Sequence, residues 1–119
     1  MGLFLYVLAS VLWVPLTLIN LVCVLYENRK KRAFARVLNG YFYQTAIDID
    51  RFGNRNFRTL LNATLITGRG YRFGDVRETI SGVLGKNQLL GELTTAGRYL
   101  AAFLDFIDPG HCQKAIVYF

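Results

Sequence analysis

The first 26 residues form an uninterrupted apolar segment. No charged side chain occurs in residues 1–26, and the polar exceptions Ser10, Thr17 and Asn20 can bond to the helix backbone or to a neighbouring helix. A helix of this length spans roughly 37 Å, which exceeds the hydrocarbon core of about 30 Å. A helix packed against the core of a soluble protein keeps one polar face toward water, and this segment has no polar face. Residues 1–26 are therefore predicted to form a transmembrane helix.

A cleaved secretory signal is the main alternative for this segment. Signal peptides carry Lys or Arg before a short apolar run and a small-residue cleavage site after it. Here no basic residue precedes the run, the run is longer, and no A-x-A site follows it. The pattern favours a membrane span that is retained.

A basic cluster at residues 27–36, which we name the basic collar, follows the apolar segment directly. Its five cationic side chains are Arg29, Lys30, Lys31, Arg32 and Arg36. Basic residues beside a span stay on the cytoplasmic side of a membrane, so the N-terminus is expected outside and the rest of the chain in the cytoplasm. The collar is also expected to contact anionic lipid headgroups.

Helical periodicity continues past the collar, so residues 37–119 are predicted to form a small helical domain. One helix, expected to end near residues 48–54, carries an apolar stripe at steps of three or four: Phe34, Leu38, Tyr41, Thr45 and Ile49. This stripe suits either a helix lying on the bilayer or a helix packed in the core. The fold class is thus mostly α, with one transmembrane helix followed by a small helical cytoplasmic domain.

Three further helices are predicted in the second half of the chain. Their expected bounds are residues 55–66, then Asp75 to about Leu84, and then 95–107. The second would open with a capping box of Asp75 and Glu78 and end at Gly85. The third would be capped by Thr94 or Thr95 and end at the Asp-Pro-Gly sequence. Its expected core stripe is Leu100, Phe103, Leu104 and Ile107.

Composition and charge narrow the function classes. Hydrophobic residues make up 53% of the 119 residues and charged residues 18%, which excludes a disordered chain. The net charge of +6 indicates an anionic partner. Because the charge follows the span, lipid is favoured; nucleic acid is disfavoured, since the aromatic residues lack the alternation with basic residues seen in base-stacking platforms. Two Cys and one His exclude a disulfide scaffold and a His-rich or four-Cys metal site.

Residues that could carry chemistry occur in two short motifs. They are Glu78, Thr79 and Ser81 in E-T-I-S, and Asp105, Asp108, Pro109, His111 and Cys112 around D-P-G-H-C. The second set could bind a divalent metal, but adjacent His and Cys rarely share one tetrahedral ion and neighbouring side chains point apart. Helix capping and surface pairing account for the first set. All eight residues are expected to be structural, no catalytic, cofactor or metal site is assigned, and the chain is not expected to be an enzyme.

The motifs resemble those of a known group. The strings D-R-F-G-N, E-T-I-S, L-T-x-A-G-R and L-D-x-I-D-P-G-H-C-x-K-A are similar to small uncharacterised proteins encoded by tailed phages and prophages, over about residues 48–116. The resemblance implies a phage or prophage origin and carries no activity or catalytic residue with it. The apolar N-terminal segment departs from the group, in which many members look soluble.

Three function classes remain open. The favoured class is a membrane-tethered phage or prophage accessory protein that acts on a host or phage protein or on the membrane surface. The second is a holin-like, lysis-associated protein that oligomerises through its span, although one span without a small-residue face fits this class less well. The third is a metal- or nucleic-acid-binding module with a membrane anchor, for which the ligand set is incomplete.

Overall fold

The structure is a computed structural model and describes residues 1–30 and 34–119. In these residues the chain is mostly helical, as predicted, and the one β-type contact is an isolated antiparallel bridge between Ile66 and Leu93. The chain divides into two compact units, Met1–Tyr43 and Gln44–Phe119, which we call the N-terminal and C-terminal units. Lys31 and Arg32 of the collar lie outside the described residues.

The N-terminal unit contains the long apolar helix α1 (Gly2–Asn28), which extends slightly beyond the predicted end at residue 26. Its mean hydropathy reaches 2.3 over 18 residues, and none of this window is buried. The hydroxyls of Ser10 and Thr17 donate to carbonyls one turn earlier, at 2.8 and 2.7 Å. The Asn20 amide donates to the Tyr41 hydroxyl at 2.9 Å. Helix α1 is therefore long and apolar enough to cross a membrane, and its polar side chains have partners.

Helix α2 (Phe34–Asn56) continues through the polar residues that were expected to end it near 48–54, so that prediction is wrong. Gly53 and Asn54 are buried, because they form contacts inside the C-terminal unit instead of a turn. Helix α3 (Arg58–Thr64) follows after Phe57 and is shorter than the predicted 55–66. Leu65 and Ile66 leave the helix because the backbone there pairs with the segment around Leu93.

Helix α4 (Ile80–Leu90) begins later than predicted, and the capping box is not formed. Thr79 is the N-cap, and its hydroxyl accepts from the Gly82 amide at 3.0 Å. The Asp75 carboxylate instead accepts from the Arg77 amide at 2.9 Å in a local turn. Glu78, expected at the surface, is fully buried and pairs with Lys86.

The end of α4 was also predicted too early, at Gly85. The helix continues to Leu90, and Gly91 with a φ of 71° forms the left-handed C-cap that glycine adopts without strain. Gly85 lies inside the helix, at the point where α6 (His111–Lys114) passes directly over it. A Cβ at Gly85 would overlap the carbonyl group of Cys112, so glycine is required there for close packing and not for a turn.

Helix α5 (Thr95–Ile107) has the predicted bounds. The Thr94 hydroxyl accepts from the Gly97 amide at 3.1 Å, which confirms Thr94 as the N-cap. The Asp-Pro-Gly sequence ends the helix as predicted, with Gly110 at a φ of 74°.

The predicted core stripe of α5 is correct for only two of its four residues. Leu100 and Leu104 pack against the core, whereas Phe103 and Ile107 are 59% and 64% exposed. The buried face is turned toward Gly97 and Ala101, since small residues there let the neighbouring backbone approach.

The core of the C-terminal unit lies around α4, which contacts both α5 and α6. Its buried apolar members are Leu65, Ile66, Phe73, Val83, Leu84, Leu93, Ala101 and Cys112. The segment after Gly110 begins as the helical turn α6 and places Cys112 in this core.

Candidate functional site

The loop between α3 and α4, residues 67–78, is held by asparagine side chains. Asn62 bonds both backbone groups of Phe73, accepting at 2.7 Å and donating at 3.1 Å. Asn87 bonds both backbone groups of Tyr71 in the same way, at 2.7 and 2.9 Å. A side-chain amide offers a donor and an acceptor together, so each asparagine supplies what a neighbouring strand would supply.

A third asparagine, Asn54 of α2, holds the end of the same loop. Its side chain is fully buried and donates to the carbonyls of Asp75 and Glu78, both at 2.9 Å. Its side-chain oxygen accepts from the Gly74 amide at 3.1 Å. These bonds fix the backbone that leads into the E-T-I-S motif.

Glu78 forms a buried ion pair at the end of this loop. Its carboxylate lies 2.6 Å from Lys86 Nζ and accepts from the Tyr71 hydroxyl at 2.7 Å. Burial raises the pKa of Tyr71, and the hydrogen bond to Glu78 adds to the increase. Burial acts to lower the pKa of Lys86, but the hydrogen bond and charge of Glu78 outweigh it and leave that pKa raised. Lys86 is therefore held in its charged form at neutral pH.

The two sequence motifs meet at Ser81 and His111. Ser81 Oγ lies 3.2 Å from His111 Nε2, and His111 Nδ1 lies 3.2 Å from the carboxylate of Asp108. On the other side, Asp50 of α2 accepts from the Ile80 amide at 2.7 Å and from the Ser81 hydroxyl at 3.3 Å. This chain of contacts joins α2, α4 and α6.

The order hydroxyl, imidazole, carboxylate is also the order of a hydrolase triad, which requires an accessible nucleophile and a place for substrate. Ser81 is only 4% exposed. The Asp50 carboxylate and the His111 ring nitrogen both contact Ser81 Oγ, so they compete for its single hydroxyl proton. The geometry therefore fits a structural link between helices better than a catalytic site.

Asp105 and Cys112 form the second link of α6 to the core. One carboxylate oxygen of Asp105 accepts from the Cys112 amide, and the other accepts from the Gln88 side chain, both at 2.9 Å. The hydrogen bond from the Cys112 amide has the largest effect in lowering the pKa of Asp105, and the bond from Gln88 adds to it. Burial raises the pKa of the Cys112 thiol to about 12. A fully buried thiol with a raised pKa is a poor nucleophile at neutral pH.

Asp108 follows α5 and closes the turn containing Pro109. It accepts from the Lys114 ammonium group at 2.9 Å, and this bond, followed by the contact with His111, lowers the pKa of the carboxyl group. Across the described ranges, 1–30 and 34–119, no group of three or more His, Cys, Asp and Glu side chains lies close enough to hold a metal ion.

A basic surface surrounds α3. Residues 51–74 contain five arginines and no acidic residue, and the exposed ones are Arg55, Arg58, Arg69 and Arg72. Arg58 and Arg72 line an open pocket together with Thr59 and Asn62. Two guanidinium groups beside a hydroxyl and an amide can bind a phosphate or carboxylate oxygen.

The collar side chains that the structure describes, Arg29, Lys30 and Arg36, are exposed. The Arg29 guanidinium lies 3.8 Å from the centre of the Tyr26 ring and donates to the Tyr26 carbonyl at 2.6 Å. The collar is therefore free of acidic partners at these positions and available to an anionic surface.

The sequence motifs identified Ser81, His111, Asp105 and Cys112, and the structure brings them together around the α4–α6 contact. It does not place Glu78 with them, since Glu78 pairs with Lys86. Sequence reasoning missed Asp50 and the three asparagines. Of these four, Asn87 carried a signal, because it continues the helical spacing of the apolar residues Ile80, Val83 and Leu84. No protein-family model, curated protein or solved structure matches the chain.

Proposed function

We propose that the protein is a single-pass, membrane-anchored accessory protein of a phage or prophage, with the N-terminus outside and the C-terminal unit in the cytoplasm. It acts by binding the membrane surface and a host or phage protein, without catalysis. The observation that carries the proposal is α1, an apolar helix of 27 residues in which the mean hydropathy reaches 2.3 over an 18-residue window with no buried residue. The basic collar supports the orientation.

The C-terminal unit supports a binding role. Its polar groups are used to hold the loop 67–78 and α6 in place, as the asparagine contacts and the Asp105–Cys112 bond illustrate. Large apolar side chains nevertheless remain on its surface, among them Tyr99 at 74% and Phe106 at 85% exposure. A rigid unit with apolar residues on its outside is typical of a protein that binds a partner or a membrane.

Extraction of membranes tests the anchor. We expect the full-length protein to remain in the membrane pellet through alkaline carbonate and high-salt washes, because burial of α1 in lipid does not depend on charge. A double variant, Leu12→Arg with Leu16→Arg, places two charges near the middle of the helix. Its insertion is disfavoured by about 5–7 kcal/mol, and it should move to the soluble fraction.

The matched control is Leu89→Arg with Leu90→Arg. These two leucines are 62% and 58% exposed in α4, so the same chemical change there leaves α1 intact and the protein in the pellet. Release of the unmodified protein by salt alone would contradict the anchor and leave only electrostatic attachment.

A further inference from the structure

The outer side of α5 carries four large apolar side chains that remain mostly exposed. Tyr99, Phe103, Phe106 and Ile107 are 74%, 59%, 85% and 64% exposed. Steps of three and four residues separate them along the helix, so all four project from one side, which we call the aromatic face. The opposite side carries the buried Gly97 and Ala101. Helix α5 cannot rotate the aromatic face inward, because its other side is already packed on the core.

The aromatic face is uncharged. No charged residue occurs in α5 between Arg98 and Asp105, and both carboxylate oxygens of Asp105 accept hydrogen bonds from within the C-terminal unit. Residues 99–110 contain two acidic residues and no Lys or Arg. A helix that lies on a bilayer borders its apolar side with Lys or Arg, and a surface that binds nucleic acid is basic. The surroundings of the aromatic face therefore disfavour both an anionic bilayer and nucleic acid.

The spacing of the face is symmetric about Phe103. Tyr99 precedes this residue by four positions, and Ile107 follows it by four. When two copies of α5 run antiparallel with a two-fold axis beside Phe103, this side chain meets its counterpart, and Tyr99 of each copy meets Ile107 of the other. An interface between identical chains requires such a self-complementary patch. The uncharged face also brings no like charges together.

The area of the face is sufficient for a dimer. An aromatic side chain buries about 150–250 Å², so at the observed exposures the four side chains leave about 400–600 Å² per copy for a partner to cover. Two such faces together bury about 800–1,200 Å², which brackets the roughly 1,000 Å² that a specific interface requires.

We propose that the aromatic face is the interface of a homodimer, in which α5 of one copy packs antiparallel on α5 of the other. The assignment rests on the binding role proposed above for the C-terminal unit, and it is independent of the membrane anchor. It names a second copy of this chain as the partner that covers the exposed aromatic residues.

The mass of the full-length protein in detergent micelles tests the dimer. We expect sedimentation equilibrium in density-matched detergent to give twice the mass of the chain. Phe103→Glu and Phe106→Glu each place one carboxylate from each copy in the interface, and each should raise the dissociation constant of the dimer at least about 100-fold. The matched control is Phe52→Glu, because Phe52 of α2 has the same exposure of 59% as Phe103. It should leave the dimer intact.

Cross-linking locates the interface without changing an aromatic side chain. The background is Cys23→Ala, and Cys112 stays buried. Ala102→Cys then places a thiol at an exposed position next to Phe103. Because this position lies beside the proposed two-fold axis, a short bismaleimide should link it to its counterpart in the second copy. The control is Asp48→Cys, which is exposed on α2 and should not be linked.

A monomeric unmodified protein overturns the proposal. A dimer that persists in both glutamate variants and gives no cross-link at position 102 also overturns it, since the copies then meet elsewhere, for example through α1. Should either glutamate variant unfold, the cross-link at position 102 decides. Retention of the protein in the membrane pellet leaves the anchor standing in each case, so the two proposals fail separately.

Discussion

Gly85 is the position where the packing of α6 on α4 can be tested with one methyl group. In an open helix, Gly→Ala stabilises by about 1 kcal/mol because alanine has the better helix propensity. At Gly85 the new Cβ would overlap the backbone carbonyl of Cys112, which cannot rotate away as a side chain could. Helix α6 must then move outward, and the fully buried Cys112 loses its packing.

The expected net effect of Gly85→Ala is destabilisation. Overpacking of this kind costs about 1–3 kcal/mol, and the displaced helix also weakens the Cys112–Asp105 hydrogen bond, worth about 1 kcal/mol. After subtracting the gain in propensity, we expect the free energy of unfolding of the C-terminal unit to fall by about 2 kcal/mol. At a urea dependence of about 1–2 kcal/mol per molar, the denaturation midpoint should fall by about 1–2 M.

Urea denaturation of the full-length protein in detergent micelles, followed by pulse proteolysis, measures this midpoint. The control is Gly40→Ala, because Gly40 is also helical, has nothing within 4 Å of the added Cβ, and lies outside the C-terminal unit. It should leave the midpoint of the C-terminal unit unchanged. An unchanged or higher midpoint for Gly85→Ala would show that α6 does not pack on α4 as described.

Three other predictions use the same protein. Asn54→Ala leaves three backbone groups without their partner and should lower the free energy of unfolding by about 2–4 kcal/mol, whereas the exposed Asn56→Ala should change it by less than about 0.5 kcal/mol; equal effects would contradict the role of Asn54. Cys112→Ser should cost about 1–2 kcal/mol at pH 7. Folding raises the pKa of Cys112 from 9.0 to about 12. The contribution of this thiol to the free energy of unfolding is therefore complete below pH 9 and is lost as the pH rises toward 12. Between pH 7 and pH 10 the serine variant should lose less stability than the unmodified protein. Four collar residues can be neutralised together: Arg29, Lys30, Lys31 and Arg32. This should weaken the orientation preference in a thiol-accessibility map. An unchanged map would show that the collar does not set the orientation.

The elements best predicted from the sequence were those set by local chemistry. A run of residues without charge defines α1, and Thr94 with the Asp-Pro-Gly sequence defines both ends of α5. These signals act within a few residues of the chain, so no knowledge of the packing is needed to interpret them.

The wrong predictions concern residues whose role depends on distant parts of the chain. Gly85 was interpreted as a helix end, but its reason is the Cys112 backbone, 27 positions away in sequence. Glu78 was interpreted as a capping residue, but it is buried, where it pairs with Lys86 and accepts a hydrogen bond from Tyr71. Glycine and glutamate serve both local and tertiary purposes, and a single sequence does not separate the two.

The candidate site shows the same division. The sequence identified both motifs, but their meeting through Ser81 and His111 depends on how α6 folds back on α4. Asp50 and Asn54 lie on α2, where periodicity gave no sign that their polar side chains hold the backbone of another segment.

The central claim is that α1 crosses a membrane and leaves the C-terminal unit on the cytoplasmic side. Thiol accessibility in intact cells tests it most directly, with a cysteine introduced either at position 2, the first residue of α1, or at position 113, exposed on α6, in a Cys23→Ala background that keeps the buried Cys112. We predict that a membrane-impermeant maleimide labels position 2 in intact cells and labels position 113 only after the cells are permeabilised. Labelling of position 113 in intact cells, or of both positions only after permeabilisation, would contradict the account.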